Sequence, residues 1–341
     1  MIAPGPEEVL VEWAAARRTA PVAGLAELME RQADDARALS GARSSAWNGT
    51  VHWLPREGHV EPRGVVGIAD WDGTIYYDRD YVERPLRTLF EKAGGGLEGY
   101  ELYRAKNALA VVLHENFHLL GSDPADHQAT KDDWSWPLVV LEEGTTELFT
   151  QMRLNAYLRR LGLDRIAPGL KEIETRAAYP LFVPAVKTLA QGVGRLVRQA
   201  GSEVLRQVIC EAGGKKFRTL GGIVLDGSGL AARMAADDRV AAAEEIGDAV
   251  SGAFGEVARL GSFLPPEVSV KVSRRVGREA LRRVLDEVEK LDARYPKETS
   301  EDVRVERRGP VLPPTMAPHR THRRRPGLEA AAARLTAALT R

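Results

Sequence analysis

The sequence predicts an α+β fold that is predominantly α, with a small antiparallel sheet ahead of a helical C-terminal half. Apolar residues recur at helical spacing through most of the chain, which favours amphipathic helices. Short runs rich in β-branched and aromatic residues are confined to residues 47–81, which predicts a few strands there. Two histidines four residues apart lie in the helical pattern that follows. We therefore expect the sheet to precede a helix that carries the histidines.

Length, composition and charge narrow the class of protein. The chain has 341 residues, of which 44% are hydrophobic, and is long enough to bury a substantial core. The charges of its 48 basic and 48 acidic residues cancel, so the net charge does not favour binding of a nucleic acid. The single cysteine, Cys210, excludes an internal disulfide framework. Because a secretory signal pattern and a long apolar run are both lacking, we expect a cytoplasmic protein that does not enter a membrane.

Three short runs predict the strands of the sheet. They cover residues 50–54, 65–69 and 74–77. The last two are separated by a segment that contains Asp72-Gly73, and such a pair between β-prone runs is typical of a hairpin turn. We therefore expect neighbouring antiparallel strands just before the helix that carries the histidines.

The stretch His114-Glu115-Asn116-Phe117-His118 carries the strongest chemical signal in the chain. On a helix, positions i and i+4 share a face, so both imidazoles can reach one metal ion while Glu115 lies beside them as a base. Apolar residues at helical spacing surround the motif, and Gly121 is expected to end the helix. The pattern predicts that His114 and His118 bind Zn²⁺.

A second acidic motif follows on the next predicted helix, which extends from Leu138 to Leu161. Glu143 and Glu147 are again four residues apart, and like charges at this spacing repel one another, which is a poor fit to an ordinary solvated face. A catalytic zinc ion takes three protein ligands, and two histidines with one glutamate form a known set. Glu143 is therefore the predicted third ligand, and Glu147 is predicted to accept the free N–H of a ligating imidazole.

These motifs resemble those of the gluzincins, the zinc metallopeptidases that include thermolysin and the aminopeptidase superfamily. The resemblance is carried by the histidine motif and by Glu142-Glu143-Gly144-Thr145-Thr146-Glu147, in which Glu142 stands where the family has asparagine. It implies hydrolysis of peptide bonds by a zinc-activated water, with Glu115 as the general base. The implied substrate is a peptide or a protein.

Two further features follow from the same resemblance. One is a hydrogen-bond donor for the oxyanion of the transition state, for which Tyr179 is the candidate and Tyr157 the second. The other is an edge strand that binds the backbone of the peptide, for which residues 65–69 and 74–77 are both candidates.

Other ligand sets stay open at this point. In the metzincin pattern a third histidine follows the glycine by three residues, and here Pro124 holds that position. Three nearby residues are alternative ligands: Asp123, Asp126 and His127, which lies three residues beyond the family's position. They belong to a segment (residues 122–136) that we interpret as a polar surface loop.

Glu142 is an alternative to Glu143 as the third ligand. Two other functions also stay open. One is a binding or structural protein that keeps the zinc scaffold without turnover. The other is a protein that binds a partner or a nucleic acid through an arginine-rich tail.

Four segments are predicted along the chain. They are an N-terminal helical segment (1–45), a zincin-like catalytic domain (46–212), a helical C-terminal region (213–295), and a tail rich in proline and arginine with a short terminal helix (296–341). The glycine-rich start of the third segment, residues 213–229, is interpreted as a turn-rich link.

Overall fold

The computed structural model describes residues 21–54, 66–175, 178–260 and 265–296. Within these ranges helices dominate and the strands are short, so the predicted α+β, predominantly α class is confirmed. Residues 1–20 of the predicted N-terminal segment and residues 297–341 of the predicted tail lie outside the described residues.

The strands are β1 (Ser44–Ser45), β2 (Val51–Leu54), β3 (Gly67–Ala69), β4 (Ile75–Asp78) and β5 (Leu120–Gly121). The helices are α1 (Leu25–Ser40), α2 (Arg84–Glu91), α3 (Gly99–His118), α4 (Ala125–Asp133), α5 (Trp136–Arg160), α6 (Leu163–Ile166), α7 (Val183–Leu196), α8 (Gly201–Ile209), α9 (Gly213–Ser228), α10 (Ala236–Leu260) and α11 (Pro266–Arg294). A π-helical turn (Arg79–Glu83) precedes α2, and a 3-10 turn (Ala231–Arg233) precedes α10.

The three-stranded sheet is mixed, which corrects the prediction of an antiparallel sheet. Its strand order is β2-β4-β3, so β4 is central and β3 lies at an edge. β3 and β4 form the predicted antiparallel hairpin, whereas β2 runs parallel to β4, with Val51 opposite Ile75. Side chains alternate along a strand in the same way whichever direction its neighbour runs, so the sequence pattern does not reveal the direction of pairing.

Helix α3 carries the histidine motif and is well defined at both ends. It begins with a capping box, in which the side chains of Glu98 and Glu101 each accept a backbone N–H. One face buries Leu109, Leu113 and other apolar residues in the core. The helix ends at His118, slightly before the predicted Gly121, because the chain then forms β5 and pairs with β1.

Helix α5 carries the acidic motif and crosses close to α7. It starts next to Pro137, which suits a first helical turn, and stops before Gly162, whose φ of 70° lies in the left-handed region. A Cβ added at Gly144 would lie 2.6 Å from Cγ2 of Val186. Gly144 therefore permits the close approach of α7 beside the Glu143 position.

Two segments interpreted as loops are helical. Residues 122–136 include helix α4, and residues 213–228 form helix α9 rather than a turn-rich link. Some glycines of α9 allow close packing: a Cβ at Gly221 would lie 2.0 Å from the carbonyl oxygen of Ala243 on α10. Contact between α9 and α10 outweighs the low helix propensity of glycine, which was the basis of the sequence interpretation.

The described residues share one cluster of buried apolar side chains that runs from Val22 to Leu291. It crosses the predicted boundaries at 45/46 and 212/213, and those boundaries stay predictions. None of the described helices combines the length and the apolar character that crossing a bilayer requires.

Candidate metal centre

Helices α3 and α5 bring three predicted ligands together. One ligand atom from each of His114, His118 and Glu143 can be chosen so that all three lie within 4.8 Å of one another. Nε2 of His114 lies 3.0 Å from Nε2 of His118 and 3.3 Å from Oε2 of Glu143. Nε2 of His118 lies 3.6 Å from the same Oε2. The three atoms therefore form a nearly equilateral triangle.

The size of this triangle fits a tetrahedral zinc ion. At zinc–nitrogen and zinc–oxygen distances of roughly 2.0–2.1 Å, two ligands of a tetrahedral ion lie about 3.3–3.4 Å apart. The three observed separations, 3.0, 3.3 and 3.6 Å, are centred on this value. The residues present thus suit Zn²⁺ with three protein ligands and a fourth position for a water or a substrate.

Glu147 orients the first histidine. Its Oε2 accepts a hydrogen bond from Nδ1 of His114 at 3.1 Å, which leaves Nε2 to face the other ligands. Its second oxygen, Oε1, accepts hydrogen bonds from the backbone N–H of Ala178 and from Gln151. Glu147 therefore occupies the predicted position and also ties the segment next to Tyr179 to the site.

Glu142 orients the second histidine, a role that the sequence reasoning missed. Its Oε1 accepts a hydrogen bond from Nδ1 of His118 at 2.8 Å, and its Oε2 lies 2.6 Å from Nζ of Lys216 on α9. The Glu142 carboxylate thus lies behind His118, away from the three facing ligand atoms. Adjacent glutamates could have suggested a buried cation nearby, but no motif in the sequence points to Lys216.

Glu115 is a buried carboxylate on the sheet side of the site. It lies against the edge strand β3, where a Cβ added at Gly67 would be 2.6 Å from its Oε1. Burial raises the pKa of Glu115, and the nearby charge of Glu143 adds to this, while both histidines and a hydrogen bond from the Ala69 backbone oppose it. A carboxylate with a raised pKa is suited to accept and return a proton near neutral pH.

Tyr179 also lies at the site. Its ring stacks on His114, with centroids 5.9 Å apart and an interplanar angle of 18°, and on Phe182. Its φ of 54° is unusual for a residue other than glycine. Burial, the nearby charge of Glu143 and a hydrogen bond to that carboxylate raise the pKa of Tyr179, so its hydroxyl stays protonated and able to donate.

The second tyrosine candidate is elsewhere. Tyr157 is fully buried, and the charges that act on its hydroxyl are those of Asp35 and Arg31. The structure therefore brings Tyr179, and not Tyr157, to the ligands.

The alternative ligands in residues 122–136 have other partners. Nε2 of His127 donates to the carbonyl of Asp70 at 3.0 Å, and its ring packs on Trp71. Asp126 pairs with Lys215 at 2.6 Å, and Asp123 accepts a hydrogen bond from the Ala125 backbone. Within the part of the chain that the structure describes, the three-residue group that could hold a metal is His114, His118 and Glu143.

Nearby carboxylates raise the pKa values of both imidazoles. Burial alone would lower the pKa of His114, but hydrogen bonds to Glu143 and Glu147 raise it well above its usual value. Burial likewise opposes the shift of His118, whose pKa the charge of Glu143 and the hydrogen bond to Glu142 raise to about 9. Without a metal the site therefore holds protons, and a divalent cation would take their place.

Comparison with protein-family models, with curated proteins and with solved structures finds no match to this chain. The likeness to gluzincins consequently stays one of short motifs.

Proposed function

We propose that this protein is a zinc-dependent metallopeptidase of the gluzincin type, with peptides or proteins as substrates. The observation that carries the proposal is the triangle of His114, His118 and Glu143 at tetrahedral spacing, with the buried Glu115 carboxylate beside it. A purely structural zinc site has no need of that carboxylate, because four protein ligands complete such a site.

Glu115 is the proposed general base. Zn²⁺ held by this triangle would supply Lewis acidity, polarising a carbonyl and lowering the pKa of a water. Glu115 takes a proton from the attacking water and later donates it to the leaving amine. Its raised pKa brings it closer to neutral pH and so suits both steps.

Tyr179 is the proposed donor to the oxyanion. Its hydroxyl is protonated and directed to Glu143, within the ligand group. Tyr179→Phe is expected to lower kcat by about 100-fold to 1,000-fold, the usual effect of removing one such donor, with little change in KM. Tyr157→Phe is the control, since its hydroxyl is buried away from the ligands. An unchanged kcat in Tyr179→Phe would assign the donor role elsewhere.

Strand β3 is the proposed binding site for the substrate backbone. Of the two candidate strands, β4 is central and already paired on both sides, whereas β3 lies at an edge of the sheet. β3 also adjoins Glu115 through Gly67. A peptide added as a strand along this edge would pass the general base, which supports an extended polypeptide as substrate.

Metal analysis and a peptide-library assay test the proposal. We expect one zinc ion per chain, loss of zinc in His118→Ala, and peptide cleavage that chelators abolish. Glu115→Gln should keep zinc and lose cleavage by several orders of magnitude, because it preserves shape and removes the base. Protein without stoichiometric zinc would refute the metal centre. Zinc retained without cleavage of any peptide would favour a binding protein on a zinc scaffold.

A further inference from the structure

Lys216 is a buried lysine outside both sequence motifs. It lies in the first turn of α9, and its side chain is 1% exposed. Lysine is rarely this buried unless it is paired, and its Nζ lies 2.6 Å from Oε2 of Glu142. The Glu142 side chain is itself only 4% exposed. Solvent therefore screens this pair far less than it screens an ion pair on the surface.

Glu142 uses its two oxygens on different partners. Oε2 contacts Lys216, and Oε1 accepts the hydrogen bond from Nδ1 of His118. With the proton on Nδ1, the lone pair of His118 is on Nε2, the atom that faces His114 and Glu143. Direct contacts thus connect α9 to one of the metal ligands.

Glycines at the start of α9 permit this approach. A Cβ added at Gly213 would lie 2.9 Å from Cγ2 of Thr130 and 3.1 Å from Oε2 of Glu142. The backbone N–H of Gly214 also donates to Oγ1 of Thr130 at 3.1 Å. The helix is therefore anchored where a larger residue would push Lys216 away from the carboxylate.

We propose that Lys216 is a positioning residue of the metal centre, which holds the Glu142 carboxylate in the orientation that turns Nε2 of His118 toward the metal. This role rests on the zinc centre of the proposed function but not on the reaction that the centre catalyses. Position 142 is neutral in the family that the motifs resemble, and Lys216 supplies the cation that the extra carboxylate of this chain requires.

Removing the charge of Lys216 should weaken zinc binding. In Lys216→Met the Glu142 carboxylate keeps the contacts of its Oε1 with His118 and, at 3.5 Å, with Oγ1 of Thr146, but it loses the cation at Oε2 and can rotate away from His118. We expect the zinc dissociation constant, measured by competition with a chromogenic chelator, to rise about 10-fold to 100-fold, the usual effect of losing a group that orients a ligand. Lys215→Met is the matched control: the neighbouring lysine makes an ion pair of the same 2.6 Å length with Asp126. It should leave zinc affinity unchanged.

The double variant tests whether Lys216 acts through Glu142. Glu142→Gln should weaken zinc binding as well, and Lys216→Met/Glu142→Gln should bind zinc no more weakly than the weaker of the two single variants. The double variant leaves no unpaired buried charge, so it is expected to fold even if Lys216→Met does not. In that case it is compared with Glu142→Gln alone, and equal zinc constants support the proposal.

A variant of a second buried lysine shows whether an effect of Lys216→Met on zinc binding comes from positioning of Glu142 or from a general loss of packing. Lys106 on α3 is 4% exposed and donates to the carbonyls of Lys171 and Ile173. Lys106→Met should lower the free energy of unfolding. In the double variant Lys106→Met/Glu142→Gln, the fold-change of the zinc dissociation constant should equal the product of the fold-changes of the two single variants. Unchanged zinc affinity in Lys216→Met, or multiplying effects in its double variant, would overturn the proposal. A protein that binds zinc but cleaves no peptide would overturn only the proposed function.

Discussion

Glu115 and its neighbours show how individual residues define the site. The carboxylate is confined between the histidine motif and the backbone of β3, and Gly67 leaves the space that it occupies. A Cβ at Gly67 would approach both Oε1 and Cγ of Glu115, at 2.6 and 2.7 Å. Because the Glu115 side chain is more flexible than the hydrogen-bonded backbone of β3, the side chain would move rather than the strand.

Gly67→Ala should therefore impair catalysis more than metal binding. We expect kcat to fall by roughly 10-fold to 100-fold, since misplacing a reacting group by about 1 Å has an effect of this order. Zinc stoichiometry should not change, because the three proposed ligands are on α3 and α5. Gly99→Ala, at the start of α3 with open space around its Cβ, is the control and should keep full activity. Equal kcat values in the two variants would contradict this placement of the base.

Helix α9 shows how an element can depend on packing rather than on propensity. Its sequence contains several glycines, yet it is a regular helix that packs against α10 and supplies Lys216. Adjacent glycines differ sharply: a Cβ at Gly221 would lie 2.0 Å from the Ala243 carbonyl oxygen, whereas a Cβ at Gly222 meets nothing within 4 Å.

These two glycines should respond in opposite directions to alanine. Gly221→Ala should lower the free energy of unfolding by about 1–3 kcal/mol, because two helix backbones must separate. Gly222→Ala should raise it by up to about 1 kcal/mol through helix propensity alone. Urea titrations followed by circular dichroism would measure both. Destabilisation of equal size in both variants would mean that α9 does not pack on α10 in this way.

Buried charges at the site make the stability of the folded protein depend on pH. The pKa of His118 is raised from 6.5 to about 9, so in the metal-free protein its contribution is complete below pH 6.5 and is lost as the pH rises toward 9. Burial opposes the shift of Glu142, but Lys216 lowers its pKa from 4.5 to about 2. Its contribution is therefore complete above pH 4.5 and is lost as the pH falls toward 2.

The combined contribution of His118 and Glu142 to the stability of the metal-free protein should accordingly be largest between about pH 4.5 and 6.5. Above pH 6.5, bound zinc should counteract this loss of stability. Zinc would displace the protons of both histidines and therefore bind more tightly as the pH rises. The increase in Tm on adding zinc should thus be larger at pH 8.5 than at pH 6. Calorimetry of the metal-free and zinc-loaded protein would test this, with His118→Gln as the variant that loses most of the difference. A zinc effect independent of pH would contradict the assignment of the ligands.

Local sequence patterns are sufficient to predict the periodic helices, the hairpin turn at Asp72-Gly73 and the spacing of the candidate ligands on α3 and α5. These are local properties, because helix geometry alone places His114 beside His118 and Glu143 beside Glu147. The parallel pairing of β2, the helical state of residues 213–228 and the different contacts of Glu142 and Glu143 depend on the tertiary structure. The ion pair between Lys216 and Glu142 likewise depends on the tertiary structure. Each of these depends on contacts between segments far apart in the chain, and neither periodicity nor propensity encodes such contacts.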